Sequence, residues 1–553
     1  MTHPELPERP SGFRGAFRTD LLARAVYAEA AGIAQAMPVA VAVPESIDDL
    51  VLLLDMARGA GATLIPRGSG SSMAGGAIGP GIVVDLSRWR DINAVDHTAR
   101  RVTVGPGVLR AEVDAAAHAV GLRFPVDPSS GAFCTIGGMV ATNAAGARSL
   151  GFGATRRWVQ GIACVFADGT SGWVRRGAPV PDLPIPRALQ SVLDALGEDA
   201  GTFRHRGVVK ESSGYGIADA HESGDLVDLL VGSEGTLALF TAIELALLPV
   251  AARTTTILGG FPGIESAADA AIAARAAGAV ACELLEETFL EVATQGGVTI
   301  PSGARAVLLA EVEGDSDADA DSRAQLLASA FRRHGATTVE IATDAARTAE
   351  FWSLRHAASP ILATLDPSLT SMQFIEDGCV PPEHFASYVA GVRVALAEAG
   401  VRGVLFGHAG DAHLHVNPLI DVRLSDWRDR IRALLEDVTG LVASLGGTIA
   451  GEHGDGRLRA PLLDRVWSPA AQSAFAALKQ SADPDGVLNA GAKVSAAAAT
   501  PWSTVKYDPA APPLPGEARA LLQSIERSRS WQRFRLDGLV THGEPGGRRL
   551  GRR

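Results

Sequence analysis

The chain has 553 residues, more than one hydrophobic core normally organises, and this length predicts two or three domains. Hydrophobic residues make up 47% and charged residues 20%, which is the balance of an ordinary folded globular protein. The formal net charge of −12 argues against a nucleic-acid-binding protein, because that class usually presents a basic face to phosphates. A small anionic substrate held by local arginines stays compatible with this charge.

The cysteines and the N-terminus indicate a reducing compartment. The four cysteines lie far apart, so the sequence contains no Cys-x-x-Cys pattern for zinc or an iron–sulfur cluster. Prolines and charges occupy the first 22 residues, where a signal peptide needs an apolar segment, and no run of about 18 apolar residues follows. We therefore expect a cytoplasmic protein without a membrane span.

The first predicted elements alternate between helix and strand. Residues 19–30 are typical of a short helix with Thr19 as its N-cap. Ser46, early acids and leucines at helical spacing predict a second helix over residues 46–60. The predicted strands around this helix cover residues 39–44, 62–66 and 81–87.

Three segments rich in glycine and serine interrupt this pattern. The first, RGSGSSMAGGA at 67–77, lies between two predicted strands, so it is not a Rossmann fingerprint, which leads from a strand into a helix. Its backbone N–H groups suit a pyrophosphate, although alone it is equally compatible with a flexible hairpin. Residues 125–153 form a long irregular segment, which is usually functional. The third turn opens residues 232–249, and between the last two a strand over 159–169 ends in an Asp-Gly hairpin signal.

Strands and alanine-rich helices alternate in the second half of the chain, which predicts a second α+β domain. Strands are predicted over residues 254–263 and 304–314, and helices over 265–278 and 317–335. The stretch FWSLRHAA at 351–358 places Arg355 in an aromatic-rich helical turn. Such an arginine is usually solvated or salt-bridged, but in a pocket it binds a carboxylate with two parallel hydrogen bonds.

Two motifs concentrate histidines and acids, GHAGDAHLHVN at 407–417 and GEHGDGR at 451–457. His413 and His415 are two residues apart and therefore share one face of an extended strand. Imidazoles and carboxylates in this number suit a divalent metal beside a proton acceptor. On these residues alone, a glycine-rich turn with surface histidines is an equal alternative. The candidates are His408, His413, His415, Asp411, Glu452 and His453.

Residues 38–249 resemble the FAD-binding domain of the vanillyl-alcohol oxidase and para-cresol methylhydroxylase superfamily. The three glycine-rich segments carry this resemblance, in the same order. It implies a two-subdomain FAD-binding (PCMH-type) fold and non-covalent FAD, since no histidine lies between Met56 and Arg90. The implied cofactor-binding residues are Arg67, Gly68, Ser69, Gly70, Ser71, Ser72, Gly75, Pro128, Ser129, Thr135, Gly137, Gly138, Ala141, Asn143, Gly146, Gly153, Glu234, Gly235 and Asn489.

From residue 351 to about 493 the chain resembles the C-terminal domain of FAD-linked D-2-hydroxyacid dehydrogenases, the D-lactate, glycolate and D-2-hydroxyglutarate enzymes. The motifs that carry this match are FWSLR, EDGCVPPE, both histidine motifs and DPDGVLNAGAK. The resemblance implies a zinc or manganese ion bound by His408, His415 and Glu452. It also implies His453 as the proton acceptor and Arg355 as the substrate-carboxylate ligand. His413 replaces the asparagine of the common GDGNLH form, which leaves its role open.

The implied domain order is an N-terminal extension (1–37), the FAD-binding domain (38–250), an α+β substrate and metal domain (251–495) whose last segment returns to the FAD domain, and a linker with a basic tail (496–553). The long bacterial forms that this chain resembles most carry an added iron–sulfur module, and the tail contains no cysteines for one. We expect the tail to be a linker, a short helix and a partly disordered basic end.

The sequence thus predicts an FAD-dependent dehydrogenase that oxidises a small D-2-hydroxy acid by hydride transfer to flavin N5, with metal-assisted deprotonation. The alternatives are a flavin subunit that needs a separate iron–sulfur partner, an oxidase that uses oxygen, and a metallohydrolase. The acceptor is expected to be a protein or a quinone. Contact of the basic tail with the inner membrane or a redox partner, and a homodimer, are further expectations.

Overall fold

A computed structural model gives the fold, and its described residues are 9–356, 366, 368–495 and 504–539. The first half of the chain forms two four-stranded sheets and the second half a larger antiparallel sheet, so the predicted α+β class is confirmed. None of the helices in these described ranges is long and apolar enough to cross a lipid bilayer.

The first sheet has the strand order β1-β2-β4-β3. Strands β2, β4 and β3 are parallel to one another and almost wholly buried, which matches their runs of valine, isoleucine and leucine. Helix α1 precedes β2, and helix α2 makes the crossover from β2 to β3. The elements are β1 (Ala16–Arg18), α1 (Leu21–Val26), β2 (Ala40–Val43), α2 (Ile47–Ala60), β3 (Leu64–Arg67) and β4 (Ile82–Asp85).

The second sheet is antiparallel, with the order β5-β9-β7-β8. A short β6–β10 pair lies beside it, and helices between the strands close the subdomain. These elements are β5 (Arg101–Val104), α3 (Arg110–His118), β6 (Leu122–Arg123), α4 (Ile136–Thr142), α5 (Ser149–Phe152), β7 (Val159–Val165), β8 (Ser171–Arg175), α6 (Pro184–Leu196), α7 (Ile217–Ser223), α8 (Leu226–Leu230), β9 (Leu239–Ala246) and β10 (Leu248–Pro249).

The third sheet has the order β14-β11-β13-β12-β17-β18-β15, and β16 also pairs with β18. All its strand pairs are antiparallel, and helices pack against both of its faces. The first of its elements are β11 (Arg253–Phe261), α9 (Ile264–Ala276), β12 (Ala281–Glu286), α10 (Glu287–Gln295), β13 (Ala306–Gly314), α11 (Asp317–Arg333), β14 (Thr338–Ile341) and α12 (Ala345–His356).

The remaining elements of this domain end in a segment that returns to the first sheet. Leu488 pairs with Leu64 of β3 in parallel, as expected for a chain end that rejoins the FAD-binding half. The elements are β15 (Thr370–Ser371), β16 (Gly378–Cys379), α13 (Phe385–Glu398), β17 (Arg402–His408), β18 (His413–Ile420), α14 (Trp427–Ser444), α15 (Gly456–Arg459), α16 (Leu463–Val466), α17 (Pro469–Ala482) and, after residue 503, α18 (Gly516–Ser528).

Most predicted elements are present within a few residues of the expected bounds, and three expectations need correction. Helix α1 is shorter than predicted and its N-cap is Asp20, not Thr19, because the Asp20 carboxylate accepts a hydrogen bond from Ala23 N at 3.0 Å. The irregular segment at 125–153 contains the short helices α4 and α5. The N-terminal extension contributes the edge strand β1 to the first sheet.

Residues 504–539 of the expected linker and tail are folded, and the short helix expected there is α18. Helix α18 packs on α1, and its apolar side chains are buried against the outer face of the first sheet. Its strong amphipathic pattern, with Leu521, Leu522 and Ile525 on one face, is the physical reason. The basic end at 540–553 lies outside the described residues.

Candidate active site

One cavity of about 1670 Å³ runs between the FAD-binding half and the third sheet. Twenty of the predicted site residues line this cavity. They are Arg67, Gly68, Ser69, Gly70, Ser71, Ser72, Pro128, Ser129, Thr135, Gly137, Gly138, Ala141, Gly146, Glu234, Gly235, Arg355, His408, His415, Glu452 and His453. Residues predicted from separate motifs, up to 386 positions apart, therefore meet at one site.

Close backbone approach shapes the FAD-domain side of the cavity. A Cβ atom on Gly68 would lie 2.1 Å from Thr135 Oγ1, so only glycine fits between the first loop and the start of α4. Thr135 Oγ1 caps α4 by accepting from Gly138 N at 3.2 Å. This side thus presents backbone N–H groups and a helix start, which suit the phosphates of a dinucleotide.

Four predicted cofactor-binding residues, Gly75, Asn143, Gly153 and Asn489, do not line the cavity. Asn143 ends α4 in the left-handed region, and its amide donates to Glu211 O at 3.1 Å. The Asn489 amide donates to Gly76 O at 3.0 Å and Glu234 O at 2.6 Å. Gly75 and Gly153 adopt positive φ at turns. These residues support the wall of the cavity and do not form its surface.

Glu234 joins the two halves of the protein. It has a positive φ of 52°, and its carboxylate accepts hydrogen bonds from Asp455 N and Gly456 N, at 2.8 and 3.0 Å. Lys493, buried in the returning segment, lies 3.1 Å from the same carboxylate and 2.9 Å from Asp455. The turn predicted at 232–236 therefore fixes the second histidine motif against the cofactor loops.

The hairpin of β17 and β18 brings the histidines of the first motif together. His408 pairs with His413 across the hairpin, so three imidazoles share one face, as the strand spacing of His413 and His415 predicted. His408 Nε2 and His415 Nε2 are 3.3 Å apart. Each ring uses its Nδ1 elsewhere: His408 bonds to Glu283 at 2.5 Å, and His415 donates to Glu376 O at 2.8 Å.

These partners set the charge of the two rings. Burial opposes a charge on His408, but the Glu283 carboxylate outweighs it and raises the pKa of His408 to about 9. Burial and the neighbouring imidazoles hold the pKa of His415 well below its usual range. With Nδ1 of each ring fixed, the two Nε2 atoms lie side by side, and that of His408 lies 3.1 Å from Glu452 Oε1. Histidine metal ligands are held in the same way, through a contact of the other ring nitrogen.

His413 occupies the inner side of the same cluster. It is fully buried, and its Nε2 bonds to Asp377 at 2.9 Å. Its Nδ1 has no hydrogen-bond partner among the described residues and lies 3.8 Å from Glu452 Oε1. Ligand atoms of His408, His413, His415 and Glu452 all lie within 4.8 Å of one another, so the four side chains form a cluster that can hold a metal ion.

Glu452 is the acid of this cluster, and Lys210 balances its charge. Lys210 Nζ lies 2.7 Å from Glu452 Oε1 and 2.9 Å from Asp411 Oδ2, and all three groups are buried. Burial raises the pKa of a carboxyl group, but Lys210 and His408 together hold the pKa of Glu452 well below its usual range. Ser149 Oγ donates to Asp411 at 2.7 Å and ties this pair to α5.

His453 stacks on His415, with ring centroids 5.7 Å apart, and its side chain is 26% exposed. Its Nδ1 lies 3.2 Å from Glu376 Oε1, and its backbone N–H donates to Asp377 at 2.9 Å. Burial disfavours a charge on the ring, but Asp377 and Glu376 raise the pKa of His453 to about 9. With the protein groups alone, the charged imidazolium is therefore the favoured form near pH 7.

Arg355 extends into the cavity from α12 and is ion-paired. Its Nε donates to Glu283 Oε2 at 2.8 Å, and its guanidinium lies 4.5 Å from the centre of the Phe406 ring. Glu283 therefore holds His408 with one oxygen and Arg355 with the other. Burial raises the pKa of a carboxyl group, but His408 and Arg355 lower the pKa of Glu283 to about 2.

The residues that orient the site were not predicted from the sequence; they are Glu283, Lys210, Glu376, Asp377 and Arg459. Arg459 pairs with both Glu376 and Asp377. One signal was available: Glu283 interrupts the apolar strand β12, and a buried charge needs a partner. Lys210 lies in a loop without a motif, and only the fold brings it within reach of Glu452.

The fold and the site together define a flavin-type oxidoreductase with a histidine and glutamate cluster that can hold a metal. The family model of the FAD binding domain matches residues 38–174, and that of the FAD linked oxidases, C-terminal domain, matches residues 250–492. The chain belongs to the FAD-linked oxidase family.

Named relatives support this placement. Glycolate oxidase subunit GlcD of Bacillus subtilis is 30% identical over 462 residues, which cover 83% of this chain and 89% of the relative. D-lactate dehydrogenase of Archaeoglobus fulgidus is 28% identical over 453 residues, 81% of this chain and 89% of the relative. The crystal structure of p-cresol methylhydroxylase with substrate bound matches with a TM-score of 0.62 at 12% identity, covering 87% and 94% of the two chains. This last likeness confirms the PCMH-type fold.

Proposed function

We propose that the protein is an FAD-dependent dehydrogenase that oxidises a D-2-hydroxy acid to the 2-oxo acid. The observation that carries the proposal is the shared cavity, in which glycine-rich loops on one side oppose the histidine and glutamate cluster on the other. Relatives named for glycolate and for D-lactate support this class of substrate. FAD, bound without a covalent link, supplies the acceptor for the hydride.

The loops of the FAD-binding half are proposed to hold the dinucleotide. The close approach of Gly68 to Thr135 brings the first loop against the start of α4, and this arrangement supports a diphosphate site. Gly137 and Gly138 lie in the first turn of α4 and line the cavity, which supports a position along the flavin. Gly75, Asn143, Gly153 and Asn489 are proposed to act indirectly, by holding these loops in place.

A divalent metal, zinc or manganese, is proposed to be bound by His408, His415 and Glu452. Two nitrogens about 2.0–2.1 Å from a zinc ion at the tetrahedral angle are about 3.3 Å apart, and the two Nε2 atoms are separated by 3.3 Å. A bound metal lowers the pKa of a coordinated hydroxyl group. The unpartnered Nδ1 of His413 supports a further ligand position on the inner side of the cluster.

His453 is proposed to take the hydroxyl proton, and Arg355 to bind the carboxylate. His453 lines the cavity, and its Nδ1 contact with Glu376 leaves Nε2 as the nitrogen for proton transfer. The ring accepts a proton only when it is neutral, and the positive charge of a metal at the adjacent cluster would lower its pKa toward that form. The Glu283 contact fixes Arg355 through Nε, so the orientation of the guanidinium is set before substrate binds. Both residues position one C–H bond of the substrate relative to the flavin side of the cavity.

The substrate is proposed to carry a single carboxylate. Among the described residues that line the cavity, Arg148 is already paired with two acids, Asp127 and Glu311, whereas Arg355 is paired with Glu283 through Nε. A dicarboxylate such as D-2-hydroxyglutarate would have to compete with those acids. D-Lactate and glycolate are therefore expected to be better substrates than D-2-hydroxyglutarate.

The test is a panel of D- and L-2-hydroxy acids with a dye acceptor and the purified chain. We expect a flavin absorption spectrum that bleaches anaerobically with D-lactate and much less with the L-isomer. A purified protein without flavin would contradict the proposal, as would turnover of none of the acids. The Bacillus subtilis relative is named as a subunit, so the same assay also tests whether this chain needs a partner. Dye reduction by the isolated chain would show that no iron–sulfur partner is needed.

A further inference from the structure

The C-terminal segment, residues 504–539, lies outside both family regions, the later of which ends at residue 492. Backbone hydrogen bonds fix its start to the N-terminal segment: Gln35 N donates to Thr504 O at 3.0 Å, and Lys506 N donates to Ile33 O at 2.9 Å. The buried side chains of α18 then cover the outer face of β2, β3 and β4. The segment is therefore part of the folded protein.

This segment also forms part of the cavity wall. Its lining residues lie near the glycine–serine loop at 68–72. Arg529 ends α18 in the left-handed region, with φ 51°, and its guanidinium lies 5.7 Å from the centre of the Phe133 ring. The side chains that line the cavity are Tyr507, Glu526, Arg527, Arg529 and Trp531.

Two buried arginines, Arg67 and Arg535, lie beside the loop at 68–72. Arg535 is 2% exposed, donates to Ser69 O at 3.2 Å, and has no partner for its Nε among the described residues. Arg67 is 3% exposed and donates to the carbonyl oxygens of Tyr27 and Glu29, at 3.3 and 2.9 Å. No carboxylate of the described residues forms an ion pair with either guanidinium.

Two buried cations without a paired anion are costly, and an anion beside the loop would offset that cost. Burial and the charge of Arg67 lower the pKa of Arg535 to about 9, as expected for this arrangement. Among the described residues, the acid close to both is Asp85, whose carboxylate already accepts from Tyr27 Oη at 2.5 Å and from Ser87 N at 2.8 Å. The two guanidinium groups thus outnumber this carboxylate, which leaves net positive charge beside the loop.

We propose that residues 504–539 form a C-terminal clasp that completes the dinucleotide site, with Arg535 and Arg529 adding positive charge for the FAD diphosphate. Arg535 acts as a positioning residue, because it holds the loop through Ser69 O. Arg529 acts from the cavity side. This inference rests on the proposed function, since it requires that FAD occupies the cavity.

The test compares FAD binding by Arg535→Met, Arg529→Gln and Arg533→Met, measured by flavin fluorescence titration of the full-length apoproteins. Arg533 is exposed and does not line the cavity, so Arg533→Met is the control that removes one positive charge away from the cavity. We expect Arg535→Met to raise the Kd for FAD by about ten-fold or more and Arg529→Gln to raise it less. Arg533→Met should equal the wild type, and Arg535→Lys should recover part of the affinity.

The melting temperature of the apoproteins separates binding from folding. Removing an unpaired buried charge should leave the melting temperature of the Arg535→Met apoprotein unchanged or raise it, whereas a purely structural arginine would lower it. Equal FAD affinity in Arg529→Gln, Arg535→Met and Arg533→Met would overturn the clasp, even where one variant folds poorly. A wild-type protein that binds no FAD would instead overturn the proposed function.

Discussion

The two walls of the cavity are built by different means. The FAD-domain wall consists of glycines, serines and a helix start, so its shape depends on how closely the backbone segments approach. The opposite wall consists of paired ionisable side chains, in which Glu283, Asp377 and Lys210 each hold two or more groups. Substitutions that add atoms should therefore disturb the FAD-domain wall, and substitutions that remove a charge should disturb the opposite wall.

The largest expected effect is at the charged wall. Glu452→Gln removes the carboxylate from the cluster and leaves Lys210 short of one buried partner. We expect loss of the metal and a fall in kcat/KM of about 10³-fold or more, because a metal contributes several kcal/mol to such a step. Metal analysis and dye-linked kinetics measure the two effects.

FAD content should stay at the wild-type level in Glu452→Gln, because Glu452 belongs to the opposite wall. Glu436→Gln is the matched control, since Glu436 is exposed on α14 and should leave both quantities unchanged. Full turnover in Glu452→Gln after metal removal would refute the assigned role of the cluster.

The next largest effect is expected at Glu283, whose carboxylate contacts both His408 and Arg355. Glu283→Gln keeps the size of the side chain but weakens its contacts with both His408 and Arg355. We expect metal affinity to fall about 10–100-fold, the usual cost of a lost ligand-orienting partner, together with a higher KM. Isothermal titration with the metal and steady-state kinetics are the measurements. A raised KM with unchanged metal affinity would limit Glu283 to the orientation of Arg355.

At the glycine wall, the test is an added methyl group. Gly68→Ala would place a Cβ atom 2.1 Å from Thr135 Oγ1, so the loop or the helix start must move, at a cost of about 1–3 kcal/mol. We expect FAD affinity to fall by about ten-fold or more while metal affinity is retained. The double variant Gly68→Ala/Thr135→Ala should recover part of the loss, because it removes the clashing oxygen.

Gly59→Ala is the control for that substitution. Gly59 is exposed within α2, and an added Cβ atom would meet no atom within 4 Å. We expect it to stabilise the protein by about 0.5–1 kcal/mol, because alanine has the better helix propensity. Equal loss of FAD in the Gly59→Ala and Gly68→Ala variants would show that the close approach to Thr135 is not what matters.

The sequence predicted the fold and the residues at the centre of the site better than the residues that support them. Hydrophobic period and glycine loops located β2, α2 and β11 to within a few residues, because those signals are local. His408, His415 and Glu452 came from ordered motifs. Glu283 and Lys210 did not, because their partners lie 125 and 242 positions away and only the fold defines the contact. The docking of α18 was missed because its partner surface is the outer face of a separate sheet.

The smallest expected effect concerns a histidine outside both walls. His205 Nδ1 lies 2.5 Å from Glu211 Oε1 and Nε2 lies 2.9 Å from Val466 O, so both nitrogens donate when the ring is charged. Burial opposes this charge, but Glu211 outweighs it and raises the pKa of His205 above its usual value. The charged ring therefore stabilises the folded state fully below the unfolded pKa of about 6.5, and this stability is lost as pH rises through the higher folded pKa.

Thermal unfolding from pH 5.5 to 9 measures this effect, with Glu211→Gln as the comparison. Without the carboxylate, the pKa of His205 should fall, and the pH dependence above pH 6.5 should shrink by the part that His205 contributes, while the part from His408 and His453 remains. FAD and metal binding should be unchanged, because neither residue lines the cavity. A change in metal affinity in Glu211→Gln would instead mean that Glu211 is coupled electrostatically to the charged wall through the adjacent Lys210. The charges that control metal affinity would then extend beyond the residues that contact the cluster directly.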